Sequence, residues 1–297
     1  MAQARSSRLE SGETRRLAHA SRFAAKGLKL EPTVRIIVTP SATRLPPETP
    51  GSVVVGGSHS AIFTVYLTAR ARARAAIMHD AGIGLDQAGV SGLAWAEKLG
   101  MAVAAVAAGS ARIGDGDDMM CRGVLSRVNQ IAAACGVTAG MTCRDAAERL
   151  RNAPLPHTPP EPREETRYVH EKAEGKRRGI ASVDSVALMT AQDEGQVMAT
   201  GSHAALPAGE YVAKIRPRLS IGNDASMGIE NAGIASLQVL GQAGIAAAAV
   251  SSMTARIGDG RSTLLEGVIS ALNREAALLG GEVGMKALEL ARLAAAG

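Results

Sequence analysis

The chain has 297 residues, a net charge of +5, 46% hydrophobic residues and only 2% aromatic residues. That length accommodates two ordinary domains or one large one. No run of about 18 apolar residues predicts a membrane span, and the three cysteines (Cys121, Cys135, Cys143) sit in apolar settings without metal-ligand pairing. The basic residues gather at the N-terminus, on one helix-length segment (Arg70, Arg72, Arg74) and around Lys176, Arg177 and Arg178. They are not interleaved with aromatics, and no zinc or RNA-binding signature accompanies them, so a nucleic-acid partner is not expected.

Residues 1–30 are polar and basic with no apolar core, which predicts a helical extension and not a secretory signal. Residues 34–39 form a β-branched strand, and residues 52–55 a second one that runs into Gly56-Gly57-Ser58-His59-Ser60. A helix-length segment spans 61–74. A short apolar strand over 75–78 ends in His79-Asp80, and an amphipathic helix over 87–99 is closed by Gly100. Residues 101–108 make a strand of small apolar side chains that feeds Ser110-Ala111-Arg112-Ile113-Gly114-Asp115-Gly116. A long helix over 118–134 and a last one over 142–151 complete the unit.

The same series then recurs at an offset of 144 residues. Gly57-Ser58-His59 falls on Gly201-Ser202-His203, Asp80 on Asp224, and the six residues 111–116 on an identical six at 255–260. About 34 of roughly 85 positions from Gly57 to Met141 are identical without a gap. A period this long marks a duplicated domain and not a solenoid. Continuous apolar strands alternating with helices imply parallel sheets covered on both faces. The expected fold is therefore α/β: two tandem parallel-sheet βαβ units with Rossmann- or flavodoxin-like layering, related by internal duplication. The expected division is an extension (1–30), repeat one (31–151), an exposed Pro-rich charged linker (152–179) and repeat two (180–297), whose first strand is weakest and is placed at 185–190.

Ligands of parallel α/β sheets bind beyond the carboxyl ends of the strands, and three polar clusters fall there in each copy. Ser58-His59 and Ser202-His203 offer a nucleophile on a sharp turn, an anion cradle with histidine as acid/base, or simply a helix N-cap. Asp80 and Asp224 suit a general base, a hydroxyl acceptor, a metal ligand or a turn aspartate, beside His79 in one copy and Asn223 in the other. In the third cluster, led by Ser110 or Thr254, Arg112 and Arg256 present a planar fork suited to carboxylate or phosphate. Asp115 and Asp259 would orient those arginines, cap the next helix or bind a cation.

Ser58, His59, Asp80, Ser202, His203 and Asp224 are thus the candidate catalytic residues. His79, Ser110, Arg112, Asp115, Asn223, Thr254, Arg256 and Asp259 are the candidate substrate-binding ones. No metal set or cofactor motif is recognised: there is no Walker A sequence, no G-x-G-x-x-G, no H-E-x-x-H. The expected activity is cofactor-independent hydrolysis of an amide, lactam or carboxylated ring compound by a cytoplasmic homo-oligomer. The alternatives are proton-transfer isomerisation or elimination, anion sensing without turnover, and assembly.

Overall fold

A computed structural model describes residues 34–297; the expected N-terminal extension lies outside the described residues. Repeat one carries β1 (Ile36–Thr39), β2 (Val53–His59), β3 (Ala75–His79), β4 (Ala102–Val106) and β5 (Leu125–Val128). Its helices are α1 (Ile62–Arg70), α2 (Ser91–Glu97), α3 (Gly116–Arg122), α4 (Gln130–Ala134) and α5 (Cys143–Leu150). Repeat two begins with β6 (Arg167–Glu171) and continues with β7 (Ile180–Val183), β8 (Val197–His203), β9 (Leu219–Asn223), β10 (Ala246–Val250) and β11 (Ile269–Leu272). Its helices are α6 (Leu206–Ile215), α7 (Ser236–Gln242), α8 (Gly260–Leu265), α9 (Arg274–Ala277) and α10 (Ala287–Ala296).

Each repeat is a parallel-sheet βαβ unit, as the duplicated pattern predicts. The strands lie in sequential order, β1 to β5 in one sheet and β11 to β6 in the other. β1–β4 and β7–β10 are parallel, and β5 and β11 return antiparallel at one edge. Alternate strand residues serve opposite layers because successive side chains leave opposite faces of a strand. In repeat one, Val54, Ala76, Met78 and Val103 pack with α1 and α2, while Val53, Val55, Ile77 and Ala104 pack with Met119, Ala132, Ala146 and Leu150 of α3–α5. Alanine-rich strands such as β4 and β10 let these helices lie close to the sheet.

Several expected elements differ. The long helix over 118–134 is three pieces: α3 stops at Gly123, β5 runs antiparallel to β4, and α4 restarts under an Asn129 cap. A Cβ at Gly123 would stand 2.4 Å from the Met119 carbonyl, so the chain leaves the helix where only glycine fits. The helix expected over 87–99 is a kinked 3-10 segment followed by α2. The first strand of repeat two is Ile180–Val183, which is β1 displaced by 144, while the segment 185–190 forms 3-10 turns capped by Ser185 and Thr190. The Pro-rich segment 152–179 is also more than a tether, since β6 lies within it and pairs with β7.

The carboxyl ends of the two sheets face each other. The contacts across them come in matched pairs: the Leu85 N–H donates to the Ser252 carbonyl and the Ile229 N–H to the Ala108 carbonyl, both at 2.8 Å. Ala81, Ile113, Ala205, Ala225 and Ile257 bury a shared apolar patch between the repeats. The two backbone bonds, Ala81 with Ala225, and Ile113 with Ile257 map onto each other at the offset of 144, so the repeats meet about a pseudo-twofold axis.

Candidate functional site

The best-kept loops owe much of their identity to packing. Gly57 and Gly201 lie under the Arg-Ile-Gly-Asp loops, where a Cβ would approach the Asp115 and Asp259 amide nitrogens to 2.5 and 2.4 Å. The Gly114 N–H donates to the Gly57 carbonyl, and the Gly258 N–H to the Gly201 carbonyl. Asp115 and Asp259 cap α3 and α8 through the Asp118 and Ser262 N–H groups. Ser110 and Thr254 donate to the Ala107 and Ser251 carbonyls and accept from the Val124 and Val268 N–H groups. Asp80 accepts from the Gly82 and Ala108 N–H groups, and Asp224 from those of Ser226 and Ser252. These side chains hold the loops that carry the site.

The two arginines bind across the axis in a reciprocal exchange. Arg112 pairs with Glu230 of the other repeat at 2.9 Å and with Asp115 and Asp118 of its own. Arg256 pairs with Asp86 of the other repeat at 2.8 Å and with Glu266 of its own. Both guanidiniums are therefore already engaged by carboxylates.

His79 is buried and neutral, its pKa lowered chiefly by burial. Its Nδ1 accepts from the Ala81 N–H at 3.0 Å, so its Nε2 carries the proton and donates to the Ala111 carbonyl, also at 3.0 Å. Asn223 makes the same two bonds in repeat two: Oδ1 accepts from the Ala225 N–H and Nδ2 donates to the Ala255 carbonyl. The change from His to Asn leaves the local bonding intact. Ser60, where repeat two has Ala204, adds one hydroxyl bond to the His79 carbonyl.

A cleft of about 690 Å³ opens between the repeats. Its walls use corresponding positions of both copies: Ser41 and Ser185, Ser58 and Ser202, His59 and His203, Phe63 and Pro207, Leu67 and Tyr211. It therefore straddles the pseudo-twofold axis. Of the sequence candidates, Ser58, His59, Ser202, His203, Arg256 and Asp259 line it. Asp80, Asp224, His79, Asn223, Ser110, Thr254, Arg112 and Asp115 do not, and serve the loop bonds and ion pairs described above.

His59 and His203 reach the cleft from the ends of β2 and β8. Each Nδ1 accepts from the N–H two residues on, Ala61 and Ala205, at 3.3 Å. That fixes the proton on Nε2, which has no hydrogen-bond partner among the described residues. Burial, then the charges that His203 and His79 would carry, pushes His59 down to about 3, and burial, then the charge that His79 would carry, pushes His203 down to about 4. Both rings are thus neutral N–H donors at neutral pH.

Ser58 and Ser202 accept, from the Ala42 and Val186 N–H groups, the bonds that hold the β1 and β7 loops over the cleft. Neither hydroxyl is hydrogen-bonded to a histidine among the described residues. The serine of Gly-Ser-His is accordingly placed as a loop clasp beside the site.

The remaining wall comes from residues that the sequence pattern does not single out. Arg44 and Lys214 are exposed at the cleft and form no ion pair among the described residues. Arg163, Glu164 and Glu165 enter from the Pro-rich segment, and Asp184 from the end of β7. The Asp184 carboxylate accepts from the Thr166 and Gly260 N–H groups, at 2.8 and 3.1 Å. Position 40, its counterpart in repeat one, is proline, so repeat one has no carboxylate at that place.

No group of three His, Cys, Asp or Glu side chains among the described residues is placed to hold a metal ion. Burial pushes the Cys143 thiol up to about 12, which makes it unreactive. No helix among the described residues is long and apolar enough to cross a membrane. Comparison of the chain with protein-family models, with curated proteins and with solved structures gives no match.

Proposed function

We propose that the cleft between the repeats is the active site of an enzyme that hydrolyses an amide or lactam bond in a small, carboxylated compound. The observation that carries this reading is the pairing of His59 and His203. One histidine from each repeat meets in a single cleft, each neutral and each with its Nε2–H uncommitted. Two neutral N–H donors in one cleft, one from each repeat, suit a carbonyl oxygen that gains negative charge in the transition state, because preformed donors need no reorganisation at that moment. A neutral imidazole is an effective electrophile of this kind.

Arg44 and Lys214 at the rim supply positive charge for a substrate carboxylate, a role for which Arg112 is committed elsewhere and Arg256 is already paired. The same donors would also polarise a carbonyl for proton abstraction. Isomerisation or elimination is therefore the alternative chemistry within the same site.

The test is a panel of five- and six-membered lactams and cyclic imides with and without a ring carboxylate, followed by thermal stabilisation and by product formation. A ligand of the native state raises apparent stability by mass action. The reading expects hits among carboxylated rings, weakened by Lys214→Ala and lost in the His59→Gln, His203→Gln double variant. Hits that survive the double variant would remove the histidines from the site. Hits that bind without conversion would make the cleft a sensor site.

A further inference from the structure

We propose that Glu165, carried into the cleft by the Pro-rich segment, is the proton donor of this site: a neutral carboxylic acid in the resting protein that gives its proton to the leaving or carbanionic atom of a bound ligand. The inference rests on the reading of the cleft as a small-molecule site and adds the group that the two histidines cannot supply.

The histidines lack a readily transferable proton. Their Nε2–H groups are weakly acidic and their Nδ1 lone pairs are taken by backbone N–H groups. They can polarise a carbonyl but not readily deliver a proton. Hydrolysis of an amide needs that delivery, because an amide nitrogen leaves only once it is protonated.

Glu165 is the candidate for geometric reasons. It lines the same cleft as His59 and His203. Its neighbour Thr166 donates to the Asp184 carboxylate at 2.8 Å, which fixes the segment against the end of β7, and Glu165 and Asp184 both line the cleft. Asp184 also accepts from the Gly260 N–H, and two backbone donors favour its ionised form. Two carboxyl groups so placed share their charge badly, and the one with fewer donors keeps the proton. Glu165 accepts no hydrogen bond among the described residues, and no lysine or arginine among them lies within salt-bridge reach of it. The other charged groups lining the cleft are Arg44, Arg163, Glu164, Asp184, Lys214, Arg256 and Asp259. Burial, then the Asp184 charge, push Glu165 up to about 7, in keeping with this placement.

An acidic pair alone would not mark a site. The independent observation is His59, only 7% exposed, lining the same cleft with an Nε2 that no described residue engages. In a hydrolytic step the proton passes from the Glu165 carboxyl to the leaving nitrogen as the C–N bond breaks. The water whose oxygen ends on the carbonyl carbon returns a proton to the carboxylate, so the acid is regenerated. The pair has no counterpart at Pro40, which gives the pseudo-symmetric cleft one reactive side.

The test needs no substrate. A diazo amide esterifies a protonated carboxyl: the carboxyl proton moves to the diazo carbon, the oxygen bonds to that carbon and N2 leaves. At pH 6.5 the expected label on the full-length protein, read by peptide mass spectrometry, sits at Glu165 at least tenfold above exposed Glu282. Asp184→Asn should lower it several-fold, and Glu165→Gln should remove it. NMR of the wild type labelled with 13C at the glutamate side-chain carboxyl (Cδ) gives a second reading, with one carboxyl titrating near pH 7 and absent from Glu165→Gln. Labelling of Glu165 no stronger than of Glu282, or a Glu165 signal titrating in the ordinary carboxylate range, overturns the proposal. Labelling as expected with no ring compound converted would overturn the hydrolase reading instead, so the two failures are distinguishable.

Discussion

Gly82 and Ser226 occupy equivalent positions of the two repeats and meet on the pseudo-twofold axis, where a Cβ built on Gly82 would stand 2.1 Å from the Ser226 Cβ. Two identical side chains cannot share that point, so one copy must be glycine. Gly82→Ala adds this clash to a φ of +70° and should destabilise the protein by about 1–3 kcal/mol. In Gly82→Ala, Ser226→Gly the clash should be relieved and the strain of a left-handed side-chain-bearing residue moves from Ser226 (φ +64°) to position 82, so the double variant should lie within about 1 kcal/mol of wild type. Urea unfolding of the two variants checks this. Equal loss in both would place the cost in the backbone alone.

The second copy serves as a template for the first at His79. Asn223 already makes the two loop bonds that His79 makes, so His79→Asn should cost less than about 1 kcal/mol. His79→Ala strands the Ala81 N–H and the Ala111 carbonyl in a buried loop and should cost about 1–3 kcal/mol per group left unpaired. Comparable losses for Asn and Ala would mean that ring packing, not hydrogen bonding, holds this position.

The histidines of the cleft set the acid limb of stability. In the unfolded chain they titrate near 6.5, whereas the folded protein keeps His203 neutral down to about 4 and His59 down to about 3. The unfolded state then binds more protons, so stability falls as pH drops from 6.5 toward 4, by about 1.4 kcal/mol per pH unit for each ring. Glu165 acts in the opposite sense. Its raised pKa contributes stability that is present below about pH 4.5 and is lost as pH rises through about 7. Denaturation of wild type and His59→Gln between pH 6 and 4.5 should show a shallower slope in the variant. An unchanged slope would show that His59 is protonated in the folded state.

Ser58 carries a related expectation. Its hydroxyl accepts from the Ala42 N–H, so Ser58→Ala should cost about 1 kcal/mol and leave turnover of a cleft substrate within tenfold. A loss of three or more orders of magnitude at unchanged stability would make the hydroxyl a nucleophile.

For an active ring compound, Glu165→Gln should lower turnover by about 10²–10⁴-fold and abolish a decline in rate above pH 7, since only the protonated carboxyl donates. An unchanged pH profile in that variant would separate the carboxyl from the chemistry.

The duplication and both βαβ units were legible from the spacing alone, because glycine, aspartate and small apolar residues recur wherever backbone contacts leave no alternative. The same pressure made the polar loops ambiguous. Asp80, Asp115 and Ser110 recur because their hydrogen bonds close loops, and a retained loop clasp looks in sequence like a retained catalytic group. Differences between the copies have the same origin, since Gly82 against Ser226 and His79 against Asn223 both satisfy shared geometry. β6 and Glu165 were hidden in a segment whose prolines and charges signal exposure, and no local pattern shows that such a segment folds over a cleft built from residues of both repeats. A carboxyl that lacks a counterpart in the other copy is invisible to repeat comparison.

The claim that the paired histidines form a small-molecule site is tested most directly by 15N NMR of the histidine side chains at pH 6.5, recorded with and without a carboxylated lactam that stabilises the protein. The account predicts that His59 and His203 both appear as neutral Nε2–H tautomers and that both Nε2 signals shift on ligand addition, while that of His79 stays fixed. Charged rings, or a ligand that leaves both Nε2 signals unmoved, would contradict it.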